Sequence, residues 1–486
     1  MMPNPSFPFD ARPDKPEEAC GVFGIYAPNE DVAKLTYFGL YALQHRGQES
    51  AGIATFQGNR VHSYKDMGLV SRVFNEDILK KLPGDLAIGH NRYSTTGSSH
   101  VRNAQPALVE TRLGTLALSH NGNLVNTREL REELDRRSCD FVTSSDSEAI
   151  ALAIGTEVDS GKDWTEAIVS ALKLCRGAFS LTIGTPIGVF GTRDPNGVRP
   201  LVLGTIETDT PEDGYVFASE TCGLDIIGAR YLRSVRPGEL ILVNENGLSS
   251  LQWADNSSPK LCVFEMIYFA RPDSVMNAES LYSYRMRIGT VLAKESPADV
   301  DLVIGVPDSG IPAAIGYSRE SGISYAEGLI KNRYVGRTFI QPTQHMRESG
   351  IRMKLNPLKD VLEGQRIVIV DDSIVRGTTS RKLVKALREA GALEVHMRVS
   401  SPPVTHPCFY GIDTDDQEQL IAATKSIESI RAQIGVDSLA YLSWQGMLEA
   451  TGQDPSSFCS ACFTGSYPIE IPDRLKQSKL MLETTR

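Results

Sequence analysis

The sequence predicts two consecutive domains of mixed α and β structure, a layered α/β or α+β unit followed by a doubly wound parallel sheet. Three observations carry that reading. Between Cys20 and about residue 255, short apolar runs alternate with polar, glycine-rich segments, the pattern of a layered domain that keeps its chemistry on strand-end loops. Beyond it, DVDLVIGVPDSGIPAAIGYS at 299–318 and IVIVDDSIVRGTTS at 367–380 each set a β-rich apolar run before a turn and a helix, as parallel strands buried on both faces do. The polar stretch WADNSSPK at 253–260 separates the two patterns. With 486 residues and 41% hydrophobic content, the chain can bury more than one core.

Taken in order, residues 3–19 hold five prolines and several charges, a composition that seldom packs. The pattern changes at Cys20. CGVFGIYAP is strand-like, and GLYALQHRGQESAGIA reads as a helix turning into a Gly-rich loop. LAIGHNRYSTTG, TLALSHNGNL and TSSDSEAIALAI read as strand-to-loop units, and AFSLTIGTPIGVFGTRDPNGVRPLVLG as short strands with Gly and Pro turns. In the second domain, Ile367 to Val370 form a strand, Leu383, Leu387 and Ala390 recur at helical spacing, and Gly391 stops the helix.

Composition removes several function classes. A net charge of −10 without a basic stripe argues against a nucleic-acid-binding surface. No apolar run is long enough to span a membrane, and MMPNPSFPFDARPDKPEEA has no apolar core before a cleavage site, so the expected location is the cytoplasm. Eight scattered cysteines do not make a secreted disulfide framework.

The segment after Val370 carries specific chemistry. Asp371 and Asp372 would sit at the carboxyl end of a parallel strand, where ligands bind. Their carboxylates can accept bonds from ribose hydroxyls and share a magnesium ion with phosphate. Ser373, Arg376, Gly377, Thr378 and Thr379 then supply a tight turn, hydroxyls, N–H groups and a helix N-terminus, all suited to an anion. An Asp-Asp pair alone is also an ordinary acidic turn. The whole run resembles the phosphoribosyl pyrophosphate (PRPP) motif of type I phosphoribosyltransferases. That resemblance implies a doubly wound domain of their kind, a pyrophosphate loop at Val306–Gly310, and magnesium held by Ser309, Asp371 and Asp372. It also implies a catalytic lid within the basic stretch 331–358, with Lys331 and Arg333 placed to meet phosphates.

Upstream, CGVFGI, LQHRGQESAGI, HNRYSTTG, SHNGNL and SSDSEA together resemble the glutaminase domain of class II amidotransferases, the N-terminal-nucleophile (Ntn) family. The implied fold is an Ntn-hydrolase αββα sandwich. The implied nucleophile is Cys20, activated by its own α-amino group once residues 1–19 are removed as a propeptide. Asn121 and Gly122 would stabilise the oxyanion, Arg92 would take the glutamine α-carboxylate and Asp146 its α-ammonium. His90, His100 and His120 are expected to be structural.

Cys459 and Cys462 form a CxxC, which alone is compatible with zinc, a redox pair or an iron–sulfur cluster. With Cys262 and Cys408, their contexts resemble the iron–sulfur class of glutamine PRPP amidotransferases, implying one [4Fe–4S] cluster on four thiolates. Cys139, Cys175 and Cys222 are expected to pack. The resemblance divides the chain into a propeptide (1–19), a glutaminase domain (20–255), a phosphoribosyltransferase domain (256–470) and a tail (471–486). It implies the first step of purine synthesis, in which glutamine, PRPP and water give 5-phosphoribosylamine, glutamate and pyrophosphate. A homotetramer and feedback by purine nucleotides are further implications. A PRPP-sensing regulatory or inactive homologue is the alternative, and a regulator would need no Cys20.

Overall fold

A computed structural model describes residues 20–93, 100–208, 213–332, 355–412, 414 and 416–472. The expected propeptide, Arg333, most of the basic stretch and nearly all of the tail lie outside the described residues.

Two antiparallel sheets face one another in the first half. One runs in the order Arg230–Ser234, Val202–Ile206, Gly214–Ala218, Gly21–Tyr26, Leu86–Arg92, Ser50–Gln57 and Arg60–Met67. The other runs Gly247–Gln252, Glu239–Asn244, Gly188–Arg193, Gly177–Thr185, Gly114–Leu124 and Ala107–Thr111. Val22, Phe56, Ile88, Val189, Phe217 and Ile241 fill the space between them. Helix Val32–Ala42 covers the outer face of the first sheet, and helices Asp146–Asp159 and Trp164–Leu172 cover that of the second. This is the expected αββα sandwich.

The second half contains a four-stranded parallel sheet in the order Leu302–Gly305, Arg366–Asp371, Glu394–Val399 and Ser438–Tyr441. Alternation along one strand sends Val368 and Val370 to the face covered by helices Leu281–Glu295 and Ile311–Ser321. Ile367 and Ile369 go to the face covered by Thr378–Glu389 and Ile427–Ile434. A strand with both faces buried has no polar side, which is why its sequence is continuously apolar.

Three local expectations need correction. TSSDSEAIALAI is not a strand-to-loop unit but the start of helix Asp146–Asp159, because Ser145 accepts the Glu148 N–H as a cap and three alanines follow at 149, 151 and 153. The sequence HNGNL is strand rather than loop, paired residue by residue with Gly177–Leu181. The expected Gly-rich loop after the first helix is largely the strand Ser50–Gln57, whose small residues fit between neighbours on both sides.

Candidate functional site

Cys20 immediately precedes the strand Gly21–Tyr26, which pairs Gly21 with Asn91 and so brings Arg92 beside the thiol. The thiol is buried, with Sγ 3.4 Å from the Tyr93 carbonyl oxygen and 3.5 Å from its N–H nitrogen. Burial pushes its pKa up to about 12, and the charge of Arg92 is the strongest opposing influence. A thiol held so firmly in its neutral form needs an adjacent base before it can attack.

Asn121 lies in the strand Gly114–Leu124, opposite Ser180. Its side chain is fully buried, and neither amide atom has a hydrogen-bond partner. A buried amide left in that state costs stability unless a ligand completes it. Arg92, also buried, stands 3.6 Å from Glu49. Asp146 opens its helix and accepts the Leu124 N–H at 3.1 Å. Its carboxylate is 3.5 Å from His120 Nδ1. Burial alone would raise the Asp146 pKa, but His120 and the backbone N–H groups of Leu124 and Ser147 hold it below the usual carboxylate range. Cys20 thus lies where it feels the charges of both Arg92 and Asp146.

His90 is structural, as expected: burial lowers its pKa to about 3, and Nε2 lies 3.0 Å from the His120 carbonyl. His120 does more than the sequence suggests, since it orients Asp146. Cys175 and Cys222 lie in the domain core, and Cys139 packs at its edge.

The second site lies at the carboxyl ends of the parallel strands. Asp371 ends its strand and, like Asp372, is buried. Ser309 Oγ donates to Asp372 at 2.5 Å, Ser373 Oγ donates to the other Asp372 oxygen at 2.7 Å, and Asp371 accepts the Asp372 N–H at 2.9 Å. The expected pyrophosphate loop and acidic pair therefore meet. Gly377 adopts a left-handed conformation, φ 77°, and directly caps helix Thr378–Glu389. Only glycine takes that turn without strain, and it aims the helix N-terminus across the strand end. Arg376 donates to Gln419 at 3.1 Å. Lys331 is exposed and paired with Asp308 at 2.5 Å, so it stands on the pyrophosphate loop.

The four clustered cysteines also converge. Cys262 registers against Cys459 in a short parallel pair. The carbonyl of Cys462 accepts N–H groups from Thr405 and His406, close to Cys408. All four pack into one apolar cluster, and all are free thiols. Burial raises the pKa of Cys262, to about 11, and pushes up those of Cys459 and Cys462; the neighbouring thiols add to each shift. Among the described residues, no three His, Cys, Asp or Glu side chains are drawn together as a ready-made metal site. The donor set is nevertheless all sulfur, with Cys262 and Cys459 buried and Cys408 and Cys462 partly so, which suits soft metals and iron–sulfur clusters rather than magnesium or calcium.

A buried ionic network missed by sequence reasoning lies between the halves. Arg46 donates to Glu220 at 2.6 Å and to both Glu265 oxygens, at 2.7 and 3.0 Å. Its Nε reaches the Cys20 carbonyl at 3.2 Å. Arg199 joins Glu265 from the other side at 2.9 Å. Arg285 donates to the carbonyls of Met266 and Ala270; burial lowers its pKa, against the opposing charges of Asp372 and Glu220. Long sequence separation hid the pairs of Arg46 and Arg199 with Glu220 and Glu265.

Family comparison agrees with this geometry. Residues 90–225 match the glutamine amidotransferase domain and residues 286–401 the phosphoribosyl transferase domain. The amidophosphoribosyltransferase of Synechocystis is 72% identical over 97% of this chain and 95% of its own. That of Bacillus subtilis is 49% identical over 93% of this chain and 95% of its own. A solved glutamine PRPP amidotransferase from B. subtilis, complexed with ADP and GMP, superposes with a TM-score of 0.87 at 48% identity, covering 93% of this chain and 98% of that one. A chain that joins a glutamine amidotransferase domain to a phosphoribosyl transferase domain, and shares this much sequence, belongs to the amidophosphoribosyltransferase family.

Proposed function

We propose that the chain catalyses the first step of purine synthesis through two active sites, with the residue roles that follow. The observation that carries this reading is the fully buried Asn121 amide without a partner, within the same chain as the Ser309–Asp372 pair. Cys20 Sγ attacks the side-chain carbonyl carbon of glutamine, giving its proton to the α-amine exposed by removal of residues 1–19. Asn121 Nδ2 and the Gly122 N–H take the developing oxyanion. Collapse expels ammonia, which carries away that proton, and leaves a thioester; water then releases glutamate and restores the thiol. Arg92 and Asp146 hold the α-carboxylate and α-ammonium of glutamine.

At the second site, ammonia attacks the anomeric carbon of PRPP and pyrophosphate departs. Asp371 and Asp372 hold the ribose and, with Ser309, would hold a magnesium ion, which would supply positive charge for the leaving pyrophosphate. Ser373, Arg376, Gly377, Thr378 and Thr379 bind the 5′-phosphate, while Lys331 and Arg333 approach the pyrophosphate. The domain limits are 20–255 and 256–470. Cys262, Cys408, Cys459 and Cys462 would hold one [4Fe–4S] cluster, which would tie the end of the chain to both halves. Purine nucleotides act as inhibitors, a reading supported by the ADP and GMP of the B. subtilis neighbour. The working assembly is a cytoplasmic homotetramer; among the described residues, no helix is long and apolar enough to cross a membrane.

The test is anaerobic purification followed by assay of PRPP-dependent glutamate and pyrophosphate. Stoichiometric formation of both is expected, with a mature N-terminus at Cys20 and about four iron and four sulfide per chain. No PRPP turnover with glutamine or ammonia contradicts the function, and zinc without sulfide contradicts the cluster.

A further inference from the structure

We propose that the segment Cys408–Gly411, which carries one of the four clustered cysteines, is a positioning strap that sets the oxyanion donors of the glutamine site. Gly411 rests directly on Gly122: a Cβ added to Gly411 would come within 3.0 to 3.1 Å of the Gly122 backbone. The Gly411 φ of 102° is one that only glycine adopts readily. Beside it, Asn123 Nδ2 donates to the Phe409 carbonyl at 3.0 Å. The strap therefore touches the two residues that follow Asn121 in the strand.

Its other contacts lead to the nucleophile and to the thiols. The Tyr410 carbonyl accepts from Arg199 Nε at 3.0 Å. Arg199 pairs with Glu265, Glu265 with Arg46, and Arg46 holds the Cys20 carbonyl. The Tyr410 N–H donates to Cys408 Sγ at 3.4 Å, and the Tyr410 hydroxyl to the Ile469 carbonyl at 2.6 Å. Arg199 Nη2 is buried without a hydrogen-bond partner, near Cys262 and Cys459, whose thiols feel its charge. A cluster sulfur would complete that donor, as outer contacts of metal centres commonly do. Holding Cys408 in place thus holds the backbone against which Gly122 and Asn123 rest. An oxyanion donor displaced by a fraction of an ångström weakens transition-state binding while leaving substrate binding largely intact.

The inference rests on the oxyanion roles proposed for Asn121 and Gly122, and three variants of the anaerobic holoenzyme separate the two ideas. Gly411→Ala should lower the glutamine-dependent kcat about 10- to 100-fold with KM for glutamine within about twofold. Ammonia-dependent synthesis and iron content should be unchanged, and amide hydrogen exchange across 120–124 should rise. Asn123→Ala, which removes one bond to the strap, should show the same split at about 5- to 10-fold; it decides the matter if Gly411→Ala does not fold. Normal glutamine kcat and normal exchange in Asn123→Ala, or in a folded Gly411→Ala, overturn the strap. Full glutamine turnover in Asn121→Ala overturns the oxyanion assignment instead. In the unsubstituted enzyme, air destruction of the cluster should raise exchange across 120–124, and unchanged exchange there overturns the link from thiols to strap.

Discussion

The two sites are built on opposite principles. In the glutamine site, every key group is fixed by sheet register or a helix start, enclosed, and in the case of Asn121 left without a partner. In the PRPP site, the acidic groups are already served by internal donors: Ser309 and Ser373 on Asp372, and Lys331 on Asp308. A closed site with an unmet donor is prepared for a charge that exists only during reaction. A strand end whose buried acids already have partners is suited to exchanging those partners for a charged substrate and its metal. With the roles proposed above, the difference places selectivity for the transition state in the first site and for the ligand in the second.

Changes at Cys20 should break the contrast most completely. Cys20→Ala should abolish glutamine-dependent synthesis, by at least about 1,000-fold, while ammonia-dependent synthesis from PRPP persists; parallel loss of both would mean that the sites are not separable. Asp372→Asn should do the reverse, lowering turnover with glutamine and with ammonia alike by at least about 100-fold, as followed by pyrophosphate release. Retention of either activity would remove Asp372 from the PRPP site. Arg92→Lys keeps the charge but loses the two-pronged grip on a carboxylate, so KM for glutamine should rise about 10- to 100-fold with a smaller change in kcat.

The smallest effect concerns protonation. With the folded thiol pKa pushed up to about 12, the unprocessed chain should have Cys20 almost wholly neutral at pH 7. Its alkylation by iodoacetamide, read by peptide mass spectrometry, should keep accelerating above about pH 10.5. A plateau by about pH 10 to 10.5 would show an ordinary, exposed thiol.

Legibility followed the range of the interactions. The strand Ile367–Val370, the Asp371–Asp372 pair and the Gly377 turn were readable because apolar run, strand-end acids and phosphate turn occupy contiguous residues. Cys20, Asn121, Gly122, Arg92 and Asp146 came from local motifs that resemble a glutaminase domain, and register sets Arg92 beside Cys20. The helix at Asp146–Asp159 was misread because its apolar residues come too densely to show a helical stripe, since nearly all of that helix is buried. Arg46, Arg199, Glu220 and Glu265 were invisible because each finds its partner across dozens to hundreds of residues, and nothing local marks a charge that will be buried. The Cys408–Gly411 contact with Gly122 escaped for the same reason.

We propose that glutamine hydrolysis is coupled to PRPP because ammonia released at Cys20 reaches PRPP within the protein. The direct test supplies glutamine labelled with nitrogen-15 in its side-chain amide together with a large excess of unlabelled ammonium, and reads the isotope in phosphoribosylamine after trapping. The account predicts product dominated by the glutamine label, far above its share of total nitrogen. Product whose label matches the bulk pool would contradict it.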